Sequence, residues 1–506
     1  MRTKSTLKTF LYGIFFTTII AILGLIKTKL LLQYLGDEYV GIYQLFYQIY
    51  LYLSIVDGGV GASVTFRLFK PVNEKNYDKI NSIMEASRRY FNKIGIIVIL
   101  LGFLISFEIM FFIKETTIDS LYIKICFILY IIASAVSYFT TSHAFLFESE
   151  QKLYKSSNLN HSLSILESVA AIVIARLGGK LLTILISFVI LSILRNVVLY
   201  TISKKEHKYL AKPDKIDDSF KKDANNLIVN KISNLVLENS NLIFVSKYLG
   251  LTYVTIFSAY NQIVTMIKLM IQRLNSALFP SVGNMLVSAK EKAKDVFNEL
   301  NSLLFFMGNI LFVALYFTLT PFISLWYGEN YTANNIVCLL FVAILYLNII
   351  KIPLESYVKA SGNFNSIKKS SIFQAILCLV LSMLLVKKCG ISGVLFATFI
   401  STFVGVIFVF PKIIYKKIID DKLINYFLKF FKYSIGLVIN FIIIYYLEGL
   451  IPTNSLVIWF LKGALIFGIS TIINYIYFYF VKELVFMERV KYLLKKFIKG
   501  KQKKAA

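Results

Sequence analysis

Polar side chains at helical spacing stand inside segments that are otherwise apolar, and their types suit the holding of anions and hydroxyl-rich groups. Lys231, Asn234, Glu238 and Asn241 follow one another at steps of 3, 4 and 3. Asn261, Thr265, Lys268, Gln272 and Asn275 do so at 4, 3, 4 and 3, with Arg273 beside them. Tyr47, Tyr50, Ser54 and Asp57 repeat the 3, 4, 3 pattern ahead of Gly58, Gly59 and Gly61. Each stripe gathers cations, amides and hydroxyls on one helix face, as the lining of a hydrated cavity requires. The alternative is a helix–helix interface joined by amides, each bond contributing about 1 kcal/mol. Tyrosine rings pack against flat ligand faces and serve equally as packing and interface belts.

Single charges in apolar runs need a reason, since each costs a few kcal/mol near a bilayer centre. Lys27 and Lys29 lie two residues apart, roughly 200° around a helix, so they cannot share a face. Lys27 continues the line of Gly13, Thr17 and Gly24 and is the candidate anion ligand, whereas Lys29 lies with Ile22, Leu25 and Leu32 as an interface anchor. Asp57 must be paired or protonated, so it either holds a basic neighbour or carries a coupling cation or proton. Glu238 and Glu355 join it as coupling candidates. Around Pro353 stand Asn348, Lys351, Glu355 and Lys359, where Lys351 and Glu355 form an i, i+4 pair able to neutralise itself. Glu167 and Arg195 are isolated candidates, Arg195 being close enough to the inner face to snorkel, and Lys462 reads as structural.

These residues sit on helices that the composition demands. Of 506 residues 57% are hydrophobic, and the mean hydropathy is +0.69, which excludes a soluble domain of this size. Apolar runs long enough to cross a ~30 Å core recur about 14 times, so the expected fold is an all-α polytopic membrane protein. With the N-terminus inside, about 40 of the 55 Lys and Arg fall in cytoplasmic segments and about 7 in external ones. Both termini are then cytoplasmic, and the basic tail after Lys482 lies against anionic headgroups. The net charge of +27 therefore points to a membrane rather than to nucleic acid. The N-terminal run is too long for a signal peptide and reads as a retained first helix. Cys126, Cys338, Cys378 and Cys389 are scattered, with neither a disulfide framework nor metal-ligand spacing, and no cofactor is expected.

The loops are short and carry no extramembrane domain. His143, His161 and His207 are dispersed, and there is neither an acidic pair in a polar loop nor a Gly-rich phosphate loop, which weighs against a membrane acyl- or glycosyltransferase, and no enzyme is expected.

An internal repeat organises the chain. "YLGDEYVGIYQLFYQI" at 34–49 returns as "YLGLTYVTIFSAYNQI" at 248–263, with eight identities in sixteen positions at an offset of 214. Both copies occupy the outer end of an odd-numbered helix, a tight turn and the start of the next helix. Parallel repeats of six helices follow, as in two-lobed transporters. The expected divisions are an N-terminal lobe at 1–213, a C-terminal lobe at 214–422, two added helices at 423–481 and the basic tail at 482–506.

The segments "KTKLLLQYLGDEYVGIYQLFYQIYLYLSIVDGGVGASVTFRLF" and "NLIFVSKYLGLTYVTIFSAYNQIVTMIKLMIQRLNSALFPSVGNML" resemble the polysaccharide transporter family of the multidrug/oligosaccharidyl-lipid/polysaccharide flippase superfamily. The resemblance extends over the whole chain in helix count, lobes and the added pair. It implies a V-shaped pair of lobes that flips an undecaprenyl-pyrophosphate-linked oligosaccharide from the inner to the outer leaflet of a bacterial cytoplasmic membrane by alternating access. In the similar lipid II flippases a basic residue stands about nine positions before the turn glycine, as Lys27 does before Gly36, but their arginine-rich first-helix signature is missing. That favours a capsule, O-antigen or exopolysaccharide unit as cargo, in company with polysaccharide polymerase machinery.

Pyrophosphate oxygens take charge-assisted donors, which assigns them Lys27, Lys268 and Arg273, with Lys231 next. Tyr47, Tyr50, Ser54, Asn234, Asn241, Asn261, Thr265 and Gln272 are the expected cavity and sugar contacts. A coupling ion, H+ or Na+, would use Asp57, Glu238 or Glu355. The rivals on the same fold are a cation-coupled multidrug exporter, whose cavity should be acidic and aromatic, and a lipid II flippase.

Overall fold

The computed structural model describes residues 2–361, 364–449 and 452–487, which are mostly helical and contain no strand among the described residues. Helix is what a bilayer enforces, because backbone N–H and C=O groups must find partners within their own segment. Among the described residues eleven helices are long and apolar enough to span, or twelve if one bent pair counts as a span. The sequence expectation of about 14 differs at identifiable places. The stretch Lys368–Lys417 counts once at 50 residues but is interrupted by non-helical Gly390 (φ 59°, ψ −138°). At 1.5 Å per residue it is long enough for two crossings. The helix Phe220–Tyr248 is long enough to span but too polar to count, being the one that carries Lys231, Glu238 and several amides.

The chain forms two compact units. The first comprises Met1–Ser258 with Met383–Val394. It holds α1 (Arg2–Leu35), α2 (Asp37–Leu53), α3 (Val60–Glu74), α4 (Tyr77–Phe107), α5 (Ser120–Ala135), α6 (Thr141–Ser149), α7 (Leu153–Arg176), α8 (Leu181–Glu206) and α9 (Phe220–Tyr248). The start of α10 (Leu251–Ser288) belongs to it as well. Within it α1 packs on α7, α5 on α8, and α9 on both α2 and α3.

The two repeat copies meet inside this unit. Gly36 (φ 92°) and Gly250 (φ 110°) adopt the same left-handed backbone, which lets one helix turn directly into the next. Thr252 Oγ1 donates to Asp37 Oδ2 at 2.5 Å and Thr255 Oγ1 to the Asp37 carbonyl at 2.8 Å. Gly41 lies so close that a Cβ there would stand 2.5 Å from the Leu251 carbonyl oxygen. Glu38 accepts bonds from Thr116 Oγ1 at 2.8 Å and the Thr117 amide at 3.1 Å.

The span expected over 39–68 is broken. α2 passes into a 3-10 turn at Ser54–Asp57, Gly58 and Gly59 take left-handed φ of 64° and 68°, and α3 departs at 46°. At the far end of α8 the connector to α9 is fastened to α4. The Asn81 side chain donates to the Tyr209 carbonyl at 3.0 Å and accepts from the Ala211 amide at 3.2 Å. Ser82 Oγ donates to the Lys215 carbonyl at 2.7 Å, and Lys79 pairs with Asp217 at 2.6 Å. His207 Nε2 meets Glu150 Oε1 at 3.0 Å. Burial raises the Glu150 carboxyl, but its bonds to His207 and Lys152 outweigh that and hold it down at about 2.

The second unit comprises Ala259–Ser382 with Leu395–Ala506. It holds the remainder of α10, α11 (Ala293–Tyr327), α12 (Asn335–Ala360), most of α13 (Phe364–Val404), α14 (Phe410–Lys417), α15 (Leu423–Glu448) and α16 (Leu456–Phe480). Its core gathers Phe297, Phe305, Tyr346, Tyr357, Phe410, Tyr426, Tyr433 and Phe478. Asn309, fully buried on α11, ties three helices together. Its amide donates to the Tyr433 carbonyl at 3.1 Å and to Asn474 Oδ1 at 3.2 Å, and its oxygen accepts from the Tyr346 hydroxyl at 3.2 Å. Interhelical bonds of this kind contribute about 0.6–1.7 kcal/mol each in a membrane.

Candidate functional site

The break in α2 creates the first charged site. Its unwound turn exposes the Ser54 carbonyl and places Asp57 at the junction, where Asp57 Oδ1 accepts from the Gly59 amide at 2.8 Å. Lys231 on α9 reaches into the turn, bonding Asp57 Oδ1 at 2.5 Å and the Ser54 carbonyl at 3.2 Å. Tyr90 on α4 donates to the Asp57 carbonyl at 3.3 Å. A residue expected to bind pyrophosphate is thus engaged by a carboxylate, and a residue considered for coupling is its partner. The Ser54 hydroxyl turns back to the Leu51 carbonyl at 2.7 Å.

A second charged group lies among α1, α2, α7 and α8. Lys27 is half-buried, with its ammonium 5.1 Å from the centre of the Tyr43 ring, within the range of a cation–π contact. Glu167 on α7 lies within the fields of both Lys27 and Arg195. Arg195 Nε donates to Asn160 Oδ1 at 2.8 Å, and its Nη1 to Asn196 Oδ1 at 3.3 Å. Thr140 closes onto Asn196. Glu167 and Arg195, separate in the sequence reading, therefore belong to the same group as Lys27. Their spacing along the chain held no signal of this; only the packing of α1 and α8 on α7 brings them together.

Aromatic side chains adjoin this wall. Tyr43 and Tyr50 each set a ring against Tyr130, at centroid distances of 5.6 and 6.5 Å. Tyr47, on the same helix, is 44% exposed. Across the two charged sites stand three basic groups, Lys27, Arg195 and Lys231, and two acidic ones, Asp57 and Glu167. Lys27, the partly exposed Tyr47 and the amides beside Arg195 are groups of the kinds that receive an anionic head and flat hydroxylated rings.

The stripe on α9 divides. Asn241 is buried and Lys231 half-buried, whereas Asn234 and Glu238 are exposed. In the second unit Asn261, Thr265 and Lys268 on α10 are half-buried and Gln272 is exposed. The side chains of Arg273 and Asn275 lie outside the described residues. Glu355 on α12 sits between two lysines of its own helix, Lys351 at 2.6 Å and Lys359 at 3.1 Å. Lys462, read as structural, is buried against Glu448 at 2.8 Å. Among the described residues no group of His, Cys, Asp and Glu could hold a metal ion.

Known proteins resemble this chain in fold and family. No curated protein matches it by sequence. A lipid II flippase MurJ in an inward closed conformation superposes with a TM-score of 0.68 at 17% identity, covering 92% of this chain and 99% of that one. An inward-facing multidrug resistance MATE family transporter of the MOP superfamily gives 0.64 at 13% identity, covering 78% and 94%. At these identities the likeness concerns the fold. Residues 6–286, more than half of the chain, match the family described as polysaccharide biosynthesis protein. The chain is a multi-pass membrane protein that belongs to the polysaccharide biosynthesis protein family, built on the helical fold of these flippases and transporters.

Proposed function

We propose that this protein flips undecaprenyl-pyrophosphate-linked oligosaccharide units from the inner to the outer leaflet of a bacterial cytoplasmic membrane by alternating access, for capsule, O-antigen or exopolysaccharide synthesis. The observation that carries the reading is Lys27, a half-buried cation in a membrane helix beside Tyr43, with the partly exposed Tyr47 on the same α2. A pyrophosphate takes the ammonium and sugar faces take the rings, while binding stays weak enough for release. Lys268, the other ammonium expected for the pyrophosphate, is half-buried on α10 in the second unit. The family match supports a polysaccharide precursor over lipid II, and the slight positive balance of the charged wall disfavours a drug-cation exporter.

In this reading both termini are cytoplasmic, the repeats are lobes at 1–213 and 214–422, and residues 423–481 are an added pair. The protein performs no covalent chemistry and works beside a polymerase. A proton or Na+ would act at Asp57, Glu238 or Glu355; Asp57 and Glu355 are each held by lysine, and Glu238 is exposed. The test is export of the lipid-linked unit in cells carrying Lys27→Ala or Lys268→Ala. Each variant should reach the membrane at normal abundance and stop export. Normal export in both would overturn the cationic site.

A further inference from the structure

We propose that the second unit holds a phosphate-bearing anion, the headgroup of an anionic phospholipid, in a lysine-lined pocket where three membrane spans end. The pocket has a volume of about 580 Å³, within the ~300–1,000 Å³ range of small-molecule sites. Lys290 and Lys294 enter it from the turn that opens α11, and Lys416 and Lys417 from the last turn of α14. The spans Lys290–Tyr327, Lys368–Lys417 and Leu423–Glu448 begin or end there. The lysines therefore stand at the depth where hydrocarbon gives way to headgroups.

Loop lysines placed only by membrane orientation would splay into water. Here four converge on one concavity from two segments far apart in sequence. Lys294 is oriented by Asp421 at 2.9 Å, and Asp421 is itself fixed by the Lys422 amide at 2.8 Å and Asn425 Nδ2 at 2.9 Å. Asp420 takes a left-handed φ of 48°, the sharp turn that returns the chain from α14 toward α15. Ile418 and Ile419 supply an apolar part of the lining that suits the glycerol and acyl end of a lipid. Against the four lysines stand Glu291 and Asp420 in the lining and Asp421 on Lys294, so a net charge of +1 remains. A phosphodiester fits that balance, and this site is independent of the transport reading and of Lys27.

The experiment uses the full chain in neutral detergent, with lipid retention read by native mass spectrometry. Phosphatidylglycerol should be retained at least about tenfold better than phosphatidylcholine, and a triple Lys290→Gln, Lys416→Gln, Lys417→Gln variant should lose that preference. A control removing the same charge from the first unit, Lys204→Gln, Lys205→Gln, Lys208→Gln, should keep it. Elution volume and melting temperature equal to those of the parent protein show that each variant is folded. Equal retention of the two lipids, an unaffected pocket variant, or an equal loss in the control overturns the site. Displacement of phosphatidylglycerol by millimolar inorganic phosphate overturns the lipid assignment in favour of a free anion.

Discussion

Asp57 in the first unit and Glu355 in the second are both carboxylates on membrane helices, and they are neutralised in opposite ways. Glu355 is held by Lys351 and Lys359, one turn away on either side of the same helix. Asp57 is held by Lys231 on another helix, 174 residues further along the chain. The first arrangement travels with α12 wherever it goes. The second exists only while α9 lies against the break in α2, so it reports on tertiary structure and contributes to it.

The largest effect should come from removing the distant partner. Breaking a buried pair typically costs 3–5 kcal/mol, and with Asp57 and Lys231 both part-exposed we expect about 2 kcal/mol for Lys231→Met. A melting curve of the purified protein measures it, and Asp57→Asn combined with Lys231→Met should recover at least half of the loss. Strict additivity of the two substitutions would mean that they are not coupled and would break the comparison.

Lys359→Gln should do much less. It leaves the Lys351–Glu355 bond at 2.6 Å intact and forfeits about 0.5 kcal/mol, the size of a helical i, i+4 pair. A melting shift as large as that of Lys231→Met would show that the local pair is no lesser support.

The pair Lys79–Asp217 is likewise remote in sequence but has one exposed member, Lys79 at 52%, and pairs open to solvent in this way contribute under about 1 kcal/mol. The Lys79 ammonium overcomes partial burial and holds the Asp217 carboxyl at about 2. A depressed carboxyl contributes above its unfolded value and loses that contribution as pH falls through about 2. Asp217→Asn should therefore raise hydrogen exchange in the connector at 211–219 by a small amount that is the same from pH 8 to pH 5. A difference that grows across that window would show that another group governs the connector.

Much of this was legible in the residues. Asp57 called for either a basic neighbour or a coupling cation or proton, because a charge in an apolar helix cannot stand alone, and Lys231 lies beside it. Lys351 and Glu355 announced each other by spacing. The repeat placed Gly36 and Gly250 at equivalent turns, and both adopt left-handed φ. The run from 39 to 68 read as one span, since hydropathy averages over the bend that Gly58 and Gly59 make. The polar stripe of α9 read as a single lining, whereas α2 and α3 take Lys231 and Asn241 into the unit and leave Asn234 and Glu238 exposed.

The sequence by itself determined the spanning helices, because apolar runs of this length in a bilayer satisfy their backbone groups only as helix. Only the tertiary structure decided which charge answers which. Lys231 found Asp57, Arg195 found Asn160 and Glu167, and Asp37 of one repeat copy received Thr252 of the other. Such partnerships depend on which helix faces are pressed together, and helical spacing along one segment carries no record of its neighbours.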